Sequence, residues 1–211
     1  IREAAVAAIA AGKTRYTPID GTAELKAAIQ AKFARENGLE YDRSQIIVTA
    51  GGKQALFNLC LALLGPGDEA IIPAPYWVSY PEMVKLCGGI PVPVKPEDGT
   101  FRPRIQDIEQ VYGSYTKAVI INSPNNPSGA VYPDELIKDI VELCEKRGLY
   151  LIMDDIYHRL VFDGRKPINP YDYAKDRSEN SKLILINGVS KQYAMTGFRI
   201  GWAVGNRKLI E

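Results

Sequence analysis

Ala118-Val119-Ile120-Ile121, the stretch PDELIKDIVELCEK at 133–146, and Tyr150-Leu151-Ile152-Met153 decide the fold. The two short runs are apolar almost throughout, as in strands covered on both faces. The stretch between them has apolar residues at 136, 137, 140, 141, 143 and 144, the spacing of one helical face. Strand, helix, strand in this order joins neighbouring parallel strands. The same alternation extends outward. Further apolar, β-branched runs stand at 46–49, 70–73, 90–94, 183–186 and 200–204, and helical stretches at 53–64, 78–86 and 105–111. Two more helices open the chain, at 1–11 before Gly12 and at 22–37, the second capped by Thr22 and stopped by Gly38. The expectation is an α/β fold with a mostly parallel seven-stranded sheet and helices on both faces. The one long irregular loop is 163–181.

Composition narrows the function classes. Hydrophobic residues make up 46% of 211 and charged residues 24%, the balance of an ordinary globular domain. A formal net charge of +1 gives no electrostatic basis for a nucleic-acid partner or an anionic membrane surface. No apolar run is long enough to span a bilayer. Cys60, Cys87 and Cys144 are scattered in apolar stretches and read as buried thiols of a reducing compartment, with the cytoplasm as the expected location. With one histidine in the chain, no metal site is expected. The chain opens inside an alanine-rich helix and closes where another begins, so it reads as a fragment of a longer protein.

Ligands of such sheets bind beyond the carboxyl ends of the strands. The first strand runs into Ala50-Gly51-Gly52-Lys53, a turn whose amides suit an anion at a helix N-terminus, or a plain glycine turn. It is not a Walker loop, because Ile47 stands where glycine is needed and Gln54 where Ser or Thr is needed. Gly65-Pro66-Gly67 follows a helix and precedes a strand, the wrong order for a dinucleotide fingerprint. Pro75-Tyr76-Trp77 offers an aromatic for stacking, or for core packing. Asn122-Ser123-Pro124-Asn125-Asn126-Pro127 makes a stiff loop with amide donors and a candidate cis Asn-Pro bond. Met153-Asp154-Asp155-Ile156-Tyr157 puts a carboxylate after an apolar strand, suited to a protonated ring nitrogen or to a helix cap. Ser190-Lys191 offers an amine for a Schiff base, and Arg199 a fork for phosphate. His158 follows Tyr157 and is expected to point away from the site.

Each feature alone is weak. In order along one sheet edge, they describe a single flat, phosphorylated, pyridine-containing aldehyde, pyridoxal 5'-phosphate (PLP). From Tyr16-Thr17-Pro18 to Gly201-Trp202 the sequence resembles the class I aminotransferases of PLP fold type I. Gly51 to Asn58, Pro75 to Tyr80 and Ala194-Met195-Thr196-Gly197 look most like the bacterial aspartate and aspartate/prephenate enzymes. The resemblance implies that residues 1–211 are the PLP-binding large domain, without the family's N-terminal segment and C-terminal small domain. It implies that Lys191 forms the Schiff base and Asp154 pairs with the pyridine nitrogen. Tyr157 and Asn126 would bind the phenolic oxygen, and Trp77 would stack on the ring. The amides of Gly52 and Lys53, with Arg199, would hold the phosphate. Tyr16 would reach the neighbouring subunit of a homodimer. Lys53, with Trp77 and Asn126, would also face the substrate, Lys53 meeting the distal carboxylate of an acidic amino acid. Gly188 departs from the family pattern, standing where many relatives have a hydroxyl ligand, and Ser190 is the candidate substitute.

The implied activity is ping-pong transfer of an amino group from an aspartate-like amino acid to a 2-oxo acid such as 2-oxoglutarate. Lys191 is the expected general base, a role worth roughly 10²–10⁴ in rate. Transfer from another amino acid or to prephenate, a carbon–sulfur lyase, a non-catalytic PLP-binding regulatory module and a cofactor-free α/β protein remain alternatives at this point.

Overall fold

The computed structural model describes residues 1–96 and 99–211. Its elements in chain order are α1 (Arg2–Ala10), α2 (Ala23–Asn37), β1 (Ile46–Thr49), α3 (Gly52–Leu63), β2 (Glu69–Pro73), α4 (Ser79–Leu86), β3 (Ile90–Val94), α5 (Ile105–Val111), β4 (Thr116–Asn122), α6 (Asp134–Arg147), β5 (Tyr150–Asp154), β6 (Leu183–Gly188), β7 (Gly201–Val204) and α7 (Arg207–Ile210). The seven strands form one sheet in the order β1-β7-β6-β5-β4-β2-β3. Six of them run in one direction, with β3, β2, β4, β5 and β6 paired in parallel, and β7 alone is reversed, antiparallel to both β6 and β1. The expected mostly parallel, seven-stranded α/β sheet is therefore present. The long loop expected at 163–181 contains one short 3₁₀ turn, Pro170–Asp172.

Strand composition follows from burial on both faces. In β4, Val119 and Ile121 belong to the core layer shared with α2, α5 and α6, whereas Ala118 and Ile120 belong to the layer shared with α3 and α4. A period of two in which both phases are apolar gives the unbroken runs seen in the sequence. Thr22 caps α2 by accepting from the Leu25 N–H, and Gly38 ends it in the left-handed conformation. Cys60 and Cys144 are buried as expected, but Cys87, just past α4, is only half-buried. Among the described residues no helix is long and apolar enough to cross a membrane.

Because β7 is reversed, its first residues lie at the same sheet edge as the last residues of its neighbours. Thr49 and Gly188 both pair with Gly201, and Asn122 pairs with Asp154. The segments after β1, β4, β5 and β6 and the segment before β7 therefore converge on one rim.

Candidate active site

A cleft of about 330 Å³ opens at that rim. Gly52, Lys53, Trp77, Asn126, Asp154, Tyr157, Ser190, Lys191 and Arg199, nine residues singled out from the sequence, line it. Tyr16 does not: it is fully exposed, on the segment between α1 and α2.

Asp154, the last residue of β5, is buried. Its carboxylate accepts the Tyr80 hydroxyl at 2.7 Å and the Ile156 N–H at 3.3 Å. Burial pushes its pKa up to about 6, against lowering by the Tyr80 and Ile156 bonds. The helix cap considered for this segment does not form, since a turn rather than a helix follows β5. A buried carboxylate with two weakly acidic donors and an open cleft beside it is well suited to a cationic N–H from a ligand.

Tyr80 and Asn122 also line the cleft, although the sequence alone assigns neither an individual role. Tyr80 sits on α4, buried, with its ring edge-on to Trp77 at 5.5 Å. Asn122 ends β4: its Nδ2 donates to the Asp154 carbonyl at 2.8 Å, and its Oδ1 accepts the Asn126 N–H at 2.8 Å. It therefore ties the loop carrying Asn126 to the strand carrying Asp154. The signal for Tyr80 was a tyrosine in an otherwise apolar helical face, whose hydroxyl needs a partner when buried. Asn126-Pro127 is cis, as are Ala74-Pro75 and Ser123-Pro124.

Three cations share the lining of the cleft with Asp154. Lys53 Nζ lies 4.7 Å from the centre of the Trp77 ring, and Lys191 Nζ lies 5.8 Å from that of Tyr157. Arg199 donates to the carbonyls of Thr196 at 3.0 Å and Ala50 at 3.4 Å. Its guanidinium packs on Gly51, whose φ of +86° and missing Cβ permit that approach, since a Cβ there would overlap the guanidinium. α3 starts at Gly52, so the Gly52 and Lys53 amides lie in its first turn, without partners inside the helix. Among the described residues, Lys53, Lys191 and Arg199 form no ion pair with a carboxylate. First-turn amides next to a guanidinium that has no carboxylate partner among the described residues suit a phosphate.

Gly188 is glycine for a steric reason. A Cβ there would stand 2.8 Å from the Ile200 carbonyl oxygen and 3.0 Å from the Gly201 Cα. A side chain at that position would require the backbone to shift, and the aliphatic hydroxyls that line the cleft are those of Ser190 and Thr196. His158 points away from the cleft, as expected. It is buried, with Nε2 3.5 Å from Glu36 on α2. Among the described residues no cluster of His, Cys, Asp or Glu is arranged to hold a metal.

The family model for aminotransferase class I and II matches residues 1–211. The chain is 46% identical to the probable aspartate/prephenate aminotransferase of Thermus aquaticus, covering 100% of this chain and 54% of that protein. It is 44% identical to the aspartate aminotransferase of Geobacillus stearothermophilus, covering 100% and 53%. The solved structure of the aspartate aminotransferase from Thermus thermophilus with maleate superposes with a TM-score of 0.92 at 45% identity, over 99% of this chain and 53% of that one. The chain thus spans about half the length of the curated relatives it matches. With its fold, the composition of its cleft and these likenesses in agreement, the chain belongs to the class I and II aminotransferase family.

Proposed function

We propose that residues 1–211 are the cofactor-binding large domain of a PLP-dependent aminotransferase that acts on an acidic, aspartate-like amino acid and a 2-oxo acid such as 2-oxoglutarate. One observation carries this reading: three cations without carboxylate partners among the described residues, Lys53, Lys191 and Arg199, line one cleft with the buried carboxylate of Asp154. PLP, when bound, supplies an electrophilic carbon and a ring that accepts electrons. Arg199 and the Gly52 and Lys53 amides would hold the phosphate, and Trp77 would offer its face to the ring. Asp154 would keep a proton on the ring nitrogen, while Tyr157 and Asn126 would donate to the phenolic oxygen. Lys191 would be the amine that holds the cofactor and, with its Nζ free, the base that would move the proton of the substrate Cα.

Lys53 is the residue for the distal carboxylate of the substrate. Maleate, named with the Thermus thermophilus structure, is a dicarboxylate, which supports an acidic partner. The names of the Thermus relatives support prephenate as an alternative acceptor. Val6, Ile9, Tyr16 and Ile19 are exposed, and no residue of α1 is buried. This supports a homodimer in which Tyr16 reaches the neighbouring phosphate site. Three free cysteines fit a reducing, cytoplasmic setting. Lys191→Ala is expected to abolish transamination in the full-length protein while leaving its circular dichroism unchanged. Full activity of that folded variant overturns the reading.

A further inference from the structure

Behind Lys191 lies a buried polar chain that the proposed chemistry does not use. Asn187, near the end of β6, is buried, and its Oδ1 accepts the Gly188 N–H at 2.7 Å. A backbone donor therefore fixes which end of this amide is oxygen. The same oxygen accepts Gln192 Nε2 at 2.6 Å, which fixes the Gln192 amide as well. Both NH₂ groups then meet one atom: Asn187 Nδ2 and Gln192 Nε2 each lie 3.0 Å from His158 Nδ1.

Two donors converging on Nδ1 require a lone pair there. The competing neighbour is the Asp155 carbonyl oxygen at 3.1 Å, which a proton on Nδ1 would satisfy. That proton would be set against two amide N–H groups whose orientations are already fixed, so the donors prevail. The imidazole proton then sits on Nε2, toward the Glu36 carboxylate at 3.5 Å. Glu36 is itself paired with Lys32 at 3.1 Å, Arg35 at 2.8 Å and Arg159. The Asp155 side chain, whose Oδ2 is 3.8 Å from Nδ1, is buried, and burial holds its carboxyl well above the ordinary range. Burial first, then Lys32, pushes the His158 pKa down to about 4.

We propose that neutral His158, protonated on Nε2, is a positioning residue: as acceptor for Gln192 and Asn187 it fixes the turn that carries Lys191. This rests on the reading of Lys191 as the cofactor lysine. Gln192 is the next residue after Lys191, and the backbone bonds of the turn include Tyr193 N–H to the Val189 carbonyl at 3.2 Å, Met195 N–H to the Ser190 carbonyl at 3.1 Å and, at its start, Val189 N–H to the Ile200 carbonyl at 3.2 Å. The Gln192 side chain joins that turn to Asn187 on β6 and to His158 in the turn that follows β5.

His158 is the one histidine of residues 1–211, and ¹⁵N spectra of tag-free full-length protein without PLP report it once its signals are assigned by their loss in His158→Asn. At pH 7 the Nε2–H tautomer is expected, and an Nδ1–H tautomer or an imidazolium overturns the proposal. The second arm follows PLP binding to Lys191 by its visible band. Asn places its oxygen near the Nδ1 position and Gln near the Nε2 position. His158→Asn should therefore bind PLP within about twofold of the parent, and His158→Gln and His158→Phe about tenfold more weakly. Equal affinities for all four proteins, or equal weakening of all three folded variants, overturn the positioning role. A parent chain that develops no band refutes the Lys191 reading itself. A normal band with the wrong tautomer refutes only the role of His158.

Discussion

Replacing Tyr80 by Phe tests how the protein keeps a buried carboxylate charged. Phe preserves the edge-on contact with Trp77 and deletes only the 2.7 Å bond to Asp154. In the cofactor-free protein Asp154 has its pKa raised from 3.8 to about 6, chiefly by burial. A raised carboxyl contributes its full stability when protonated, below about pH 4, and that contribution is lost as pH rises through 6. At about 1.4 kcal/mol per pH unit, ionising Asp154 costs the apo-protein about 3 kcal/mol above pH 6. A hydrogen bond to a charged group is worth about 1.5–3 kcal/mol. Without it the Asp154 pKa should rise by about one further unit or more. Urea unfolding of apo parent and Tyr80→Phe between pH 5 and pH 8 reads this as a stability gap that widens with pH. The gap should be about 1 kcal/mol at pH 5, where a neutral bond is lost, and larger by about 1.5 kcal/mol at pH 8. A gap that is constant or narrows with rising pH would refute the claim that Tyr80 stabilises the ionised carboxyl.

Two further substitutions probe the rim. Gly188→Ser should lower stability by about 1–3 kcal/mol, because its Cβ meets backbone at Ile200 and Gly201, and it should not tighten PLP binding. Thermal unfolding and a PLP titration check both parts. Lys53→Met should weaken bleaching of the PLP band by aspartate at least tenfold while changing the response to alanine by less than twofold, read by titrating each amino acid. Equal losses for both would mean that Lys53 does not contact the distal carboxylate.

Much of the architecture was legible because every central strand is buried on both faces. Unbroken runs such as Ile120-Ile121 and Ile184-Leu185-Ile186 have no other comfortable place in a globular chain. Strand ends were less legible. β4 continues through Asn122 and β6 through Gly188, since their backbones find partners in Asp154 and Gly201, which local apolarity does not encode. Nor does a four-residue run state its direction, and the reversal of β7 comes from its pairing between β1 and β6.

The site was legible at positions where a polar residue follows an apolar strand, as with Asp154 and Lys191. Tyr80 was not, because it is 74 residues from Asp154 and sits on a helix whose other inward residues, Met83 and Val84, are plain core. The network around His158 was hidden for a similar reason. Its members come from α2, the β5 end and the β6 end, and nothing local marks Glu36 as the neighbour of His158. Gly188 read as a departure from the family pattern, and only the three-dimensional contact with Ile200 supplies its cause.

The most direct test of the account is the absorbance spectrum of the purified full-length protein mixed with PLP, then with aspartate, beside its Lys191→Ala variant. A visible band in the parent that bleaches with aspartate and is missing from folded Lys191→Ala is the predicted result. Folded parent protein that develops no band, or a variant with the parent's band, would contradict the central claim that Lys191 carries PLP in this cleft.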